Sequence, residues 1–381
     1  MSQEPFGDIP LFREIQKILA SGQGPINFEI ARQVAEALTA QQGPDPSPEP
    51  EVFGWFTTAA HESEGLVAGY TRLPVNEPAL ARTITRNNWV QQTLEGWRWV
   101  LERFSERLSS EVTRMSPEAG PESNPMQAVM GQVAPLLLGI QTGTLLGHLS
   151  AESLGRFDPA IPRKDDGRLF FVAGNVAQVA RDYSFDLETF CRWLALRDVA
   201  RHLILTSNPW IDRYFRSLLS ELVDSIEIDA GDLERRLTEL QSLGMEALQE
   251  GGGVGEVLPI VQTPRHQGAL DRLRAFVVVF DGYAMHASDQ VAEALTGPTP
   301  KIDEGMARHQ GSPSEGKTML NSLLGVSLDR SMHAAGATFC AAVIQMHGIA
   351  SLNQMWAAPD NLPTYEEVKD PFAWIERVLT S

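Results

Sequence analysis

Along most of this chain apolar side chains return every three or four positions, the period of one helix face. Two amphipathic helices are predicted first, over 9–20 and 28–40, separated by Gly22, Gly24 and Pro25 and with Asn27 placed to cap the second. They form a helical hairpin arm. The run QQGPDPSPEP, 41–50, has the proline-rich composition of a surface linker, which sets a boundary between an arm, 1–45, and the remaining domain, 46–381. Helical spacing resumes over 52–70, and 87–115 is predicted as one long helix whose Trp89, Trp97, Trp99 and Phe104 form a core stripe. Further helices are predicted over 187–205, 209–222, 233–249, 267–295, 319–324, 331–346, around Trp356 and over 365–379. GGGVGE at 251–256 is a break, and 297–316 is predicted as a polar loop.

One segment reads as a strand. RLFFVA, 168–173, follows the turn residues Asp165, Asp166 and Gly167 and precedes Gly174. No internal repeat is present, so the expected fold class is mainly α with a minor β element.

Charge and composition narrow the function classes. With 381 residues, 43% of them hydrophobic, the chain can build a substantial core. Its 49 acidic against 31 basic residues give a net charge of -18, a surface that repels nucleic acid and anionic membranes alike. Only Cys191 and Cys340 carry thiols, both in apolar helical patterns, which points to buried structural cysteines in a reducing compartment. The opening MSQEPFGDIPLF lacks the basic start and apolar stretch of a secretory signal, so a cytoplasmic location is expected.

The stretch between Glu122 and Glu152 is uncharged and rich in leucine, which raises the question of a membrane span. Gln127, Gln132, Gln141, His148 and Pro135 interrupt it, while Gly139, Gly143 and Gly147 recur at spacing four. Spacing four aligns the glycines on one face, where another helix can approach closely, and the expectation is a buried central helix.

Two motif patterns require a decision. Gly311-Ser-Pro-Ser-Glu-Gly316-Lys317-Thr318 satisfies the P-loop spacing, and the apolar run 277–281, ending in Asp281, mimics its acidic partner. A P-loop, however, needs an apolar strand that delivers its glycines to a helix N-terminus, whereas MARHQ precedes this one. The expectation is a solvated loop ending in a helix cap. HExxH, whose histidines share a helix face and whose glutamate polarises a metal-bound water, does not occur; His61-Glu62 only begins it. Neither do His148, His202, His266, His309, His333 and His347 show metal-ligand spacing.

Several stretches together resemble a known family. FGDIPLFREIQKIL followed by GPINFEIARQVA, GIQTGTLLGHLS followed by LGRFDPAI, and the closing LNQMWAAPDNLPTYEEVKDPFAWIERV are similar to segments of the zincin-like metallopeptidases of actinobacteria and Chloroflexi, soluble proteins described as hydrolases. ALRDVARHLILTSNPW resembles the segment in which relatives carry HExxH and then Pro-Trp, and FDGYAMHASD resembles a second motif of the form EGHxxHxxD. Carried over residue by residue, the two histidine positions fall on Arg197 and Arg201 and the glutamate position on Asp198. In the second motif the acidic position is Asp281 and the first histidine position Tyr283, while His286 and Asp289 match.

The resemblance implies zinc in the family but none here, because a guanidinium stays protonated and has no lone pair for a metal. It implies instead that Arg197 and Arg201, which share a helix face, supply the positive charge and pair with Asp198, Asp281 or Asp289. The reading is of a catalytically inactive member using its inherited cleft for a peptide, a small anion or a protein partner. An alternative is an active metal-dependent hydrolase with displaced ligands among His202, His286 and Asp289. A third is a metal-independent hydrolase in which Asp198 and His286 activate water.

Overall fold

The computed structural model describes residues 24–115, 125–159, 161–227, 261–312, 314–324 and 330–380. The helices expected over 9–20 and 233–249 and the break at 251–256 lie outside the described residues. What is described is mainly helical, with a single two-stranded parallel sheet.

The first described helix, α1 (Phe28–Gln41), starts where Asn27 Oδ1 accepts the Ile30 N–H at 3.0 Å. It lies on α5 (Pro125–Glu152), the uncharged helix, through the glycine face. A Cβ at Gly139 would stand 2.6 Å from Asn27 O, and one at Gly143 2.5 Å from Ala31 O, so only glycine permits this approach. The stripe is thus filled by a helix of the same chain, and among the described residues no helix is long and apolar enough to cross a membrane. Between α1 and α2 (Pro50–Thr71) the proline-rich stretch is extended, and Asp45 accepts the N–H groups of Arg86 and Asn87 at 2.9 and 3.0 Å.

The long helix expected over 87–115 is two helices, α3 (Arg86–Gly96) and α4 (Arg98–Met115). The break coincides with a contact from a distant segment. Gly96 O accepts the Lys164 N–H at 3.0 Å instead of continuing the helical ladder, and a loop before β2 wedges in at this point.

Strand β2 (Leu169–Val172) is wholly buried between two cores. Leu169 and Phe171 face one side with Phe56, Phe190 and Val199; Phe170 and Val172 face the other with Trp89, Trp97 and Leu146. Its parallel partner β1 (Ala81–Ile84), ARTI, was not expected, being four residues long and mostly half-buried. The chain then continues directly into α6 (Ala173–Asp182), also unexpected, and into α7 (Leu187–Ser207) and α8 (Trp210–Asp224).

Helix α9 (Pro264–Thr296) runs through the largest core, packed on α2, α7, α8 and α12 (Arg330–His347). It crosses α12 at backbone distance: a Cβ on Gly282 would lie 2.3 Å from Gly336 C, and one on Gly336 2.0 Å from Val278 O. The expected polar loop 297–316 instead contains α10 (Pro300–Gly311), and α11 (Glu315–Leu324) begins at its end. Pro300 at the start of α10, with Ile302 and Met306 buried four positions apart, is the helical signal that the polar composition masked. The chain closes with α13 (Ile349–Leu352), a 3-10 turn Asn353–Trp356, another at Pro359–Asn361, α14 (Tyr365–Lys369) and α15 (Pro371–Leu379).

Gly311 closes α10, so the P-loop-like run follows a helix, and the 277–281 run lies buried inside α9. Ser314 Oγ accepts the Lys317 N–H at 3.1 Å as the cap of α11. Cys191 and Cys340 are both free and buried, in different cores. Burial pushes the Cys191 thiol up to about 12, and Cys340 is raised by the same cause.

Candidate functional site

Helices α7 and α9 lie side by side, and their facing surfaces carry the charged motif residues. On α7, residues 197 and 198 precede 201 by four and three positions, about one turn, which places each of them beside Arg201. Arg201 bridges the two helices: its Nε donates to Asp281 Oδ1 at 2.8 Å and its Nη1 to Asp198 Oδ1 at 3.1 Å. The guanidinium also lies over the Phe157 ring, 5.8 Å from its centre. Asp281 and Asp198 are 5% and 7% exposed, so this contact is a buried charge cluster.

Electrostatics within the cluster are uneven. Burial pulls the Arg201 guanidinium down, but the carboxylates of Asp281 and Asp198 outweigh it and hold Arg201 above the usual arginine range. Asp198 is pushed up to about 7, first by burial and further by Asp158, against the pull of Arg201. Its Oδ2 is shielded from solvent and has no hydrogen-bond partner. A Cβ on Gly155 would sit 2.7 Å from that oxygen, so the bare Gly155 backbone is what leaves it room.

Arg197, one turn earlier, occupies a different environment. Its Nη2 reaches Asp289 Oδ1 at 3.1 Å and Asp303 Oδ1 at 3.2 Å, and its guanidinium stacks over Trp193 at 3.9 Å. Trp193 Nε1 donates to the same Asp303 oxygen at 2.9 Å, while Thr299 Oγ1 holds the other at 2.8 Å. Burial lowers the Arg197 pKa, opposed by Asp289 and Asp303 and reinforced by the charge of Arg201. Asp303 belongs to α10, which the sequence reading had as loop, so its part in the site was missed.

His286 and Tyr283 take other directions. His286 Nε2 pairs with the Tyr70 hydroxyl of α2 at 2.8 Å, and burial lowers its pKa while Asp289 opposes the shift. Tyr283 lies two residues from Asp281, about 200° round the helix, and packs in the core. Its hydroxyl donates to Asn353 Oδ1 at 2.7 Å, and its ring meets Trp356 edge-on at 5.5 Å. His202 is 6% exposed, with Nε2 3.2 Å from Glu77 O. The site therefore gathers Arg197, Asp198, Arg201, Asp281 and Asp289, adds Asp303, and leaves Tyr283 and His202 aimed elsewhere.

The remaining histidines are dispersed. His61 is exposed, His148 Nδ1 lies 3.1 Å from Glu315 and His266 Nδ1 2.9 Å from Ser225 Oγ. Among the described residues no group of three or more His, Cys, Asp or Glu side chains is placed to hold a metal ion.

The chain belongs to the zincin-like metallopeptidase family, whose sequence model matches residues 26–375. Its fold is shared with a protein from Chloroflexus aurantiacus described as a "putative hydrolase with a novel fold", at a TM-score of 0.68 and 22% identity over 93% of this chain and 99% of that one. No curated protein sequence matches the chain.

Proposed function

We propose that this chain is a catalytically inactive member of its family, in which an arginine–carboxylate cluster stands where relatives hold zinc, and that it acts by binding. The observation that carries this reading is the Arg201 bridge to Asp281 and Asp198, 2.8 and 3.1 Å long and largely out of solvent. A divalent ion does not fit this donor set. Arg197 and Arg201 offer no lone pairs, and they bring two positive charges to the place a cation would occupy. The Oδ1 atoms of Asp289, Asp198 and Asp281 are engaged with the guanidinium groups.

The displaced-ligand alternative has less support, because His202 and His286 are turned to Glu77 and Tyr70 respectively. The binding partner on this reading is a peptide, a small anion or another protein. The net charge of -18 argues against nucleic acid and against anionic membranes.

Elemental analysis after dialysis against zinc tests the reading, applied to the natural protein and to a variant carrying Arg197→His, Asp198→Glu and Arg201→His. The expected result is a metal-free natural protein and a variant that takes up stoichiometric zinc. Stoichiometric zinc in the natural protein would overturn the proposal. If the variant bound zinc with no loss of metal-free stability, the ion pairs would have no structural role.

A further inference from the structure

Between α8, α9 and the C-terminal segment lies a cavity of about 400 Å³, open to solvent, that shares no residue with the Arg197–Arg201 cluster. That volume is in the range of small-molecule pockets. Phe276, 2% exposed, meets the Tyr214 ring edge-on at 5.8 Å, and Leu362, Pro363 and Tyr365 continue the lining from the C-terminal segment. Arg377 holds that segment in place. Its Nη1 donates to Asp360 O at 2.5 Å, its Nη2 to Leu362 O at 2.9 Å, and its Nε and Nη2 to the two Glu367 carboxylate oxygens at 2.6 and 2.8 Å. Trp374 Nε1 donates to Asn361 O at 2.7 Å, and Thr364 closes the capping box of α14. The wall is therefore formed without a ligand.

Four of the lining residues are charged, and three of them already have partners. Arg377 is held by Glu367, Arg272 pairs with Glu221, and Asp271 lies 3.4 Å from Arg274. Asp360 is exposed, and its carboxylate has no ion pair or hydrogen bond among the described residues. Nor do the Tyr214 and Tyr365 hydroxyls have a hydrogen-bond partner there. Burial raises the Tyr214 phenol above its ordinary value, Arg272 opposes the shift, and Glu221 and Asp360 add to it, so the charge of Asp360 is felt at that hydroxyl. Lys369 Nζ, paired with Glu366, lies 4.2 Å from the centre of the Tyr365 ring, which thus already takes a cation on one face. An anion entering the cavity would find each guanidinium of the lining engaged. A cation would meet a free carboxylate, two phenol oxygens and aromatic rings, and the net charge of -18 raises the local concentration of cations.

We propose that this cavity binds a small organic ammonium ion with an aromatic body, its ammonium at Asp360 and its ring against Phe276, Tyr214 and Leu362. The site stands apart from the Arg197–Arg201 face and does not depend on the loss of zinc.

Isothermal calorimetry on the full chain tests this with three probes. Tryptamine carries a ring and an ammonium, indole-3-propionate carries the same ring and a carboxylate, and Nα-acetyl-lysine amide presents the ammonium of a partner protein's side chain without a ring. The expected result is saturable binding of one tryptamine per chain and no binding of indole-3-propionate at the same concentrations. Asp360→Asn, at an exposed side chain that bonds to nothing, should fold normally and weaken tryptamine by about fivefold, while Asp360→Glu should retain it. Tyr214→Leu should weaken it by a similar factor through loss of the ring and its hydroxyl. The absence of saturable tryptamine binding, equal binding of tryptamine and indole-3-propionate, or an affinity unchanged by Asp360→Asn would each overturn the proposal. Nα-acetyl-lysine amide binding as tightly as tryptamine would overturn the assignment to an aromatic ligand.

Discussion

Replacing Arg201 with methionine keeps most of the side-chain volume while removing the charge that bridges α7 and α9. Asp281 and Asp198, whose side chains are 7% and 10% exposed, would lose the 2.8 and 3.1 Å contacts to that charge. Stranding buried carboxylates in this way costs about 3 to 5 kcal/mol. The cost depends on pH, and its sign follows from the protonation states. Arg201 favours the ionised form of both carboxyls, so without it burial raises their folded-state pKa values, that of Asp198 further above its already raised value, and the folded variant binds more protons than the folded natural protein does. The penalty is therefore full at alkaline pH and recedes as the pH falls toward the unfolded carboxylate range. Urea denaturation of both proteins at pH 8 and pH 5 measures this, and the stability difference should be clearly larger at pH 8. Arg197→Met is the internal contrast. Its partners Asp289 and Asp303 are 52% and 45% exposed, so losing those pairs and the Trp193 stacking should cost only about 1 to 2 kcal/mol. A loss under about 1 kcal/mol for Arg201→Met at both pH values would refute the buried bridge, because only solvated ion pairs are that weak.

Three further outcomes follow from the same geometry. Asp198 is raised to about 7 in the fold, so its contribution to stability should decline as pH rises from about 4 to about 7, by roughly a kilocalorie per mole per pH unit, and Asp198→Asn should flatten that part of a stability–pH curve measured in urea. Gly282→Ala would set a methyl 2.3 Å from the Gly336 backbone and should cost about 3 kcal/mol by chemical denaturation, whereas Gly69→Ala, with nothing within 4 Å, should be neutral or slightly stabilising. Tyr283→Phe should lose about 1 kcal/mol with the Asn353 hydrogen bond and leave any ligand binding at the Arg197–Arg201 face unchanged, checked by calorimetry on both proteins.

The helices α2, α7, α8, α9 and α12 were legible in the sequence, most clearly α8, whose buried Ile211, Phe215, Leu218, Leu219 and Leu222 leave a 3.6-residue hydrophobic period that needs no partner to be seen. The same holds for the Asn27 cap and for the glycine face of α5, both of which are local rules about a single helix. The site positions on α7 and α9 could be named because a family motif is a pattern of residue types at fixed spacing. Which residues those positions meet depends on contacts between segments 80 to 106 positions apart, and no local period records them. Asp303 entered the site because α10 packs near α7, and Tyr283 left it because its face of α9 turns toward Trp356. Strand β1 shows the limit clearly: ARTI has little extended signal of its own and becomes a strand only by pairing with β2. The break at Gly96 is likewise the work of Lys164, 68 positions away, whose N–H takes the carbonyl that the helix would have used. Sequence determined most of the helices and the charges they carry; tertiary packing decided β1, the break at Gly96 and which charges were buried together, and burial is what turns a pair of opposite charges into a structural bridge.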